Sequence, residues 1–251
     1  MFKLKIRVSY LYLFAVFFLG ACSSTYQIQR SNRVQYNING QVAADSSIID
    51  MYLPYKVQLD AEMNKVIGHS AVAMAKNTSM PETLLSNFFS DAVFQQALKE
   101  DAKIDFAIPS TKDGIRADLP KGELDLNSIF QLMPFENELL VVELTGADVQ
   151  DLLNYIAYTN GQPVAGIKMK IVNRKPVAVE INGKPFNSDR SYRVLTSDYI
   201  AQGGDNLTSF KNGKVKILGL KVRDAIINYV MEAEAQGLVI NPILDGRITK
   251  G

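Results

Sequence analysis

The chain of 251 residues contains no tryptophan, one cysteine and one histidine. A lone cysteine, Cys22, excludes an intramolecular disulfide. A lone histidine, His69, excludes the multi-histidine ligand sets on which dinuclear hydrolytic sites are built, and its place after Gly68 suits a surface or strand-edge residue. There is no G-x-S-x-G turn to present a serine nucleophile, and no cluster of carboxylates spaced to hold Mg²⁺. Charge of one sign is also missing. Lys and Arg number 27 against 26 Asp and Glu, a formal net charge of +1, with no basic run beyond the N-terminus, which argues against a nucleic-acid footprint. After the N-terminus no apolar stretch is long enough to cross a bilayer.

What is present begins with a targeting pattern over residues 1–22. Lys3, Lys5 and Arg7 form a basic region, and residues 11–19 an apolar region too short to span comfortably. Leu19-Gly20-Ala21-Cys22 resembles a bacterial lipobox, which implies cleavage before Cys22 and lipidation at that residue. The alternative is an ordinary secretory signal with an incidental cysteine. Several acyl chains on Cys22 would hold the protein durably at a membrane of the bacterial envelope, outer membrane or periplasm-facing. Residues 23–50 are polar and Asn/Gln/Ser-rich, and read as a tether with one strand around 34–38. Residues 51–251 are long enough for one domain with its own core.

Within that domain, Pro54 and the spacing of Tyr55, Leu59, Met63 and Val66 predict a helix that Gly68 ends. Residues 71–75 read as a strand. A broad apolar helix follows from Pro81, through Leu84, Leu85, Phe88, Phe89, Ala92, Phe94 and Leu98. Residues 104–108 predict a buried strand, 126–133 one or two helical turns stopped by Pro134, and 139–144 a strand. Thr145 with Asp148 is a weak capping-box signal for a helix through Val149, Leu152, Leu153 and Ile156. Strands over 167–172 and 177–181 end at a hairpin signal, Asn182-Gly183. A strand over 192–196 and a helix over 222–234 complete the domain. Interleaved strands and helices with hairpins predict an α+β fold with a mixed β-sheet and packed helices.

Three loops carry candidate chemistry. In Asp113-Gly114-Ile115-Arg116-Ala117-Asp118-Leu119-Pro120, Arg116 follows a buried strand, where its guanidinium can fork onto phosphate or carboxylate oxygens, or pair with Asp113 or Asp118. In Leu132-Met133-Pro134-Phe135-Glu136-Asn137, Phe135 stands where a helix gives way to a loop. In Tyr199-Ile200-Ala201-Gln202-Gly203-Gly204-Asp205, Tyr199 opens a glycine loop. Phe135 and Tyr199 are either exposed stacking faces or core aromatics. Asn137 is either an amide for ligand or a turn residue.

In this order the three segments resemble the C-terminal, substrate-binding domain of the 5'-nucleotidase family, whose patterns read G-G-I-R-A-D-L-P, L-P-F-G-N and D-[YF]-L-A-x-G-G-D. The resemblance implies that Phe135 and Tyr199 sandwich a nucleobase, that Arg116 binds substrate, that Asp205 accepts hydrogen bonds from ribose hydroxyls, and that Asn137 lies near the base. Gly203 and Gly204 would let backbone approach the ligand or adopt positive φ. Aromatic stacking on a base is worth about 1–3 kcal/mol and tolerates different bases. Glu82, Asn87, Asp91 and Ala92 match a further family stretch. Ser79 stands for an arginine, Thr111 for an asparagine and Asp113 for a glycine, so the anion side of the site is weaker than the base side.

Family members also carry a metal-dependent phosphoesterase domain, with no counterpart in this chain. The expectation is therefore the nucleotide-binding half of a 5'-nucleotidase-type hydrolase of nucleotide catabolism. It would have no catalytic residue or metal of its own, and a separate metallophosphoesterase chain would bind the divalent metals. The alternative is a non-catalytic envelope lipoprotein that captures nucleosides or nucleotides. For the anchor, a radiolabelled fatty acid is expected to mark wild type and not Cys22→Ser; equal labelling of both would rule out the lipobox.

Overall fold

A computed structural model describes residues 28, 30–40 and 42–251; the targeting pattern and Cys22 lie outside them. In chain order the elements are α1 (Ser46–Met63), β1 (Val66–Ser70), α2 (Leu84–Glu100), β2 (Phe106–Ile108), β3 (Gly122–Asp125), α3 (Leu126–Leu132), β4 (Glu138–Leu144), α4 (Gly146–Tyr158), β5 (Ile167–Val172), β6 (Lys175–Ile181), β7 (Lys184–Pro185), β8 (Tyr192–Ser197), α5 (Asp198–Ala201), β9 (Lys214–Lys221), α6 (Val222–Ala235) and β10 (Ile248–Lys250). This is an α+β fold with mixed sheets. No helix among the described residues is long and apolar enough to cross a membrane.

The central sheet has the order β2-β8-β4-β9. β2 runs parallel to β8, and β4 runs antiparallel to both β8 and β9. Its two faces follow the period of two along each strand. Ala107, Leu139, Val141 and Leu195 join one apolar cluster with α2 and α6. Phe106, Ile108, Leu140, Val142, Leu144 and Val194 join a second with α4 and β5. β2, β8 and β4 are thus covered on both faces, which is why β2 and β4 read as nearly continuous apolar runs. A second sheet, β10-β5-β6-β7, closes the α4 side.

Local signals explain most elements. Thr83 caps α2 with a reciprocal bond to Ser86, and Thr145 caps α4 in the same way with Asp148; each cap is worth about 1 kcal/mol. Asn182 and Gly183 both have positive φ, as the β6–β7 hairpin turn demands.

Several expectations are corrected. α1 starts at Ser46, carries Pro54 inside it and buries none of its residues. Val66 and Gly68 belong to β1, because a Cβ on Gly68 would lie 2.5 Å from the Val230 side chain. That glycine marks a strand pressed against α6, not a helix end. Residues 71–75 form no strand; Met74 makes one isolated bridge to Leu119. Residues 34–38 are exposed coil. β3, β7, β9 and β10 are strands that the sequence reading leaves unassigned.

The stretch holding Glu82, Asn87 and Asp91 proves architectural. The Glu82 carboxylate accepts from Asn87 Nδ2 at 2.7 Å and from the Asp245 amide at 3.0 Å. Asn87 also donates to the Ile243 carbonyl at 2.8 Å. Arg247 forks onto Asp91 at 2.6 and 2.8 Å and reaches Asp245 at 2.9 Å. These charge-assisted bonds tie α2 to the closing segment and lead the chain into β10.

Candidate functional site

The topology of the central sheet gathers three loops at one edge. β2 and β8 are parallel, so both deliver their C-termini there, while antiparallel β4 places its N-terminus alongside, with Leu139 opposite Ser197. The loops after β2, before β4 and after β8 enclose a cleft of about 660 Å³, within the range of small-molecule pockets. Arg116, Phe135, Asn137, Tyr199 and Asp205 all line it, with Ser110, Asp113, Gly114, Pro134, Glu136 and Ser197.

Phe135 and Tyr199 are 41% and 49% exposed, so neither is a core aromatic. Pro134 and the end of α3 carry Phe135 out of the helix. The Arg116 amide donates to the Leu132 carbonyl at 2.9 Å, which draws the arginine loop against that helix end. The Arg116 guanidinium lies 5.9 Å from the Phe135 ring centroid. It makes no ion pair among the described residues, touching only the Asp113 carbonyl at 3.5 Å. The alternative of a pair with Asp113 or Asp118 does not occur; Asp118 instead accepts from the Lys76 amide at 2.6 Å. Asn137 donates to Asp198 at 2.9 Å, linking the Phe135 loop to α5.

Gly203 and Gly204 shape the site without lining it. Gly203 has φ 93, the left-handed turn out of α5. A Cβ on Gly204 would lie 2.4 Å from the Tyr199 ring, so that ring rests on bare backbone. Asp205 is itself left-handed at φ 52. The Tyr155 hydroxyl holds its carbonyl at 3.0 Å. Its carboxylate accepts from Tyr199 Oη at 2.9 Å and from Thr111 Oγ1. The hydrogen bond and the charge of Asp205 raise the Tyr199 pKa, so the phenol stays protonated and donating at neutral pH.

Two supports lie outside the sequence motifs. Lys112 sends its ammonium away from the cleft, to the carbonyls of Met80 at 2.6 Å and Asn160 at 2.8 Å; burial pushes it down to about 8. Arg223, at the start of α6 and 5% exposed, stacks 4.0 Å over Phe130. It pairs with Glu136 and donates to the Phe135 carbonyl at 3.4 Å. The one signal for it in the sequence is an arginine between the apolar Val222 and Ala225 in the first turn of α6.

His69 lies in β1, remote from the lining residues, with Nδ1 3.0 Å from Glu234. Among the described residues no three His, Cys, Asp or Glu side chains stand together as metal ligands. The residues present therefore do not fit the two-metal hydrolytic centre that the family's phosphoesterase implies.

A family model described as "5'-nucleotidase, C-terminal domain" matches residues 66–212. Among curated proteins, the cell wall protein Lmo0130 of Listeria monocytogenes is 27% identical over 86% of this chain and 30% of its own length. The trifunctional nucleotide phosphoesterase protein YfkN of Bacillus subtilis is 33% identical over 62% of this chain and 12% of its own length. The chain thus spans less than a third of the length of these relatives. Among solved structures, a 5'-nucleotidase precursor from Thermus thermophilus superposes with a TM-score of 0.69 at 24% identity, over 82% of this chain and 43% of that one.

Replacing Arg223 by Met keeps the bulk of the side chain and removes its bonds to the Phe135 loop. The expected cost is about 1–3 kcal/mol of stability, with faster amide exchange at Phe135, Glu136 and Asn137. Unchanged exchange there would show that Arg223 does not position the loop.

Proposed function

The chain belongs to the 5'-nucleotidase C-terminal domain family, and on that footing we propose that it is the nucleotide-recognising half of a 5'-nucleotidase-type hydrolase. Its cleft takes the base between Phe135 and Tyr199, sets Asn137 near the base and turns Arg116 toward the phosphate. A separate metallophosphoesterase chain holds the divalent metals and hydrolyses the phosphate ester. Lipid on Cys22 keeps the pair at the cell envelope.

The observation that carries this reading is the convergence of two half-exposed aromatic rings, an unpaired guanidinium and a glycine-supported carboxylate in one cleft. Half-exposed aromatics are the costly part of an empty site, and a base covering both rings recovers the apolar area they leave in water. The reading divides the labour by chemistry. Recognition needs flat apolar faces and a few placed polar groups, all present here. Hydrolysis needs metals and an activated water, for which the one histidine, engaged with Glu234, offers no start.

Affinity is expected to come mainly from the rings. Asp113 lines the cleft beside Arg116 and offsets part of its attraction for phosphate. In isothermal titration, Phe135→Ala is expected to lose about 1–3 kcal/mol for adenosine and for AMP alike. Arg116→Ala is expected to weaken AMP more than adenosine, and less so as salt rises. Wild-type affinity retained by both Phe135→Ala and Tyr199→Ala would refute the stacking site.

A further inference from the structure

Two hairpins of the second sheet turn in the same way through different residues. β6 and β7 are joined by Asn182-Gly183, with Ile181 opposite Lys184 and φ 51 and 69 at the two turn positions. β5 and β6 are joined by Asn173-Arg174, with Val172 opposite Lys175 and φ 49 and 60. Such a two-residue turn needs left-handed backbone at both positions, which is why Asn-Gly is its preferred pair. Between β5 and β6 an arginine stands where glycine would be unstrained. A side chain held against its backbone preference points to a role for that side chain.

What Arg174 meets is α4. Its guanidinium lies 5.4 Å from the ring centroid of Tyr158, which is 66% exposed. Gln150, Asn154 and Tyr158 recur every four residues, on one face of α4. With Tyr155, Arg174 and Lys175 they line a groove of about 690 Å³, which shares no lining residue with the cleft of Phe135 and Tyr199. Two cations and no carboxylate line this groove, and neither cation makes an ion pair among the described residues. Gln150 Nε2 donates to Asn154 Oδ1 at 3.2 Å. That bond leaves the Gln150 Oε1 acceptor and the Asn154 Nδ2 donor side by side, with no partner among the described residues.

We propose that this groove is a second binding site, for an acidic sugar. The carboxylate or phosphate of the sugar sits on Arg174 and Lys175, its ring lies against Tyr158, and its hydroxyls meet Gln150 and Asn154. A planar guanidinium forks onto two anionic oxygens, and its stacking on Tyr158 fixes the plane of the fork. The amide pair decides between an acidic sugar and an acidic peptide. An ionised carboxylate only accepts, whereas a sugar hydroxyl both donates and accepts, as the free acceptor and donor of Gln150 and Asn154 require. The inference stands on residues that the nucleotide cleft does not use, so the two readings fail separately.

Amide-resolved NMR of the full-length chain, titrated with trigalacturonate and with glucose 6-phosphate, tests this. At least one of the two is expected to shift the amides of Asn154, Tyr158, Arg174 and Lys175 saturably, and the tighter of them tells a carboxylate from a phosphate. Neutral maltotriose is expected to bind about tenfold more weakly. Tyr158→Ala is expected to lose about tenfold in affinity. Arg174→Gly gives the turn its preferred Asn-Gly, so it is expected to lose affinity to a similar degree while melting no lower than wild type. No shift at these residues with either anion, or wild-type affinity in both variants, overturns the site. Maltotriose or tetraglutamate binding there as tightly as trigalacturonate overturns the acidic-sugar assignment, the first by removing the need for the anion and the second the need for hydroxyls.

Discussion

The parallel pairing of β2 with β8 is the constraint on which the site depends. Phe106 to Ile108 lie beside Val194 to Thr196, and the buried Thr196 hydroxyl locks the pair by donating to the Ile108 carbonyl at 3.0 Å. Were the two strands antiparallel, the arginine loop and the tyrosine loop would leave opposite edges of the sheet and share no cleft. With β4 antiparallel beside β8, the phenylalanine loop enters at the same edge. The apolar layers on both faces of the sheet make this register costly to change, since a one-residue slip would turn Val194 and Val142 to the wrong face.

On that frame the cleft is a balance between rings that attract and charges that largely cancel. Glu136 is tied to Lys221 and Arg223, and Asp205 accepts hydrogen bonds from Tyr199 and Thr111. Arg116 and Asp113 are lining residues whose charges make no ion pair among the described residues, and each offsets the other's field. Stacking of about 1–3 kcal/mol per base therefore outweighs a solvent-exposed ionic contact, which is commonly worth less than about 1 kcal/mol. For the proposed nucleotide site, recognition centred on the base, with weak reading of the phosphate, follows from these magnitudes. It suits a domain that presents a nucleotide to chemistry carried out elsewhere.

Much of this was legible in the sequence because it is local. α4 announces itself through Thr145, Asp148 and its apolar stripe, and β4 through the apolar run Leu139 to Val142. Arg116, Phe135, Asn137, Tyr199 and Asp205 sit in three short loops whose residue types and order point to one ligand chemistry. What escaped the sequence depends on partners distant along the chain. Gly68 looks like a helix stop until Val230 is brought against it. β9 alternates Lys214 and Lys216 with Val215 and Ile217, a strand-like period, but its role as the sheet edge comes only from pairing with β4. Tyr155 and Arg223 act on the site from other elements, and no spacing in the sequence links them to Asp205 or Phe135. The match at Glu82, Asn87 and Asp91 is the converse case: residues that resemble a functional motif hold the closing segment in place.

The central claim, that this sheet edge is a base-stacking site, is tested most directly by a crystal structure of the chain with adenosine bound. The account requires the adenine ring between Phe135 and Tyr199, with Asn137 at its edge. Adenosine bound elsewhere, for instance against the exposed Tyr158 and Arg174, with the Phe135 cleft left empty, would contradict it.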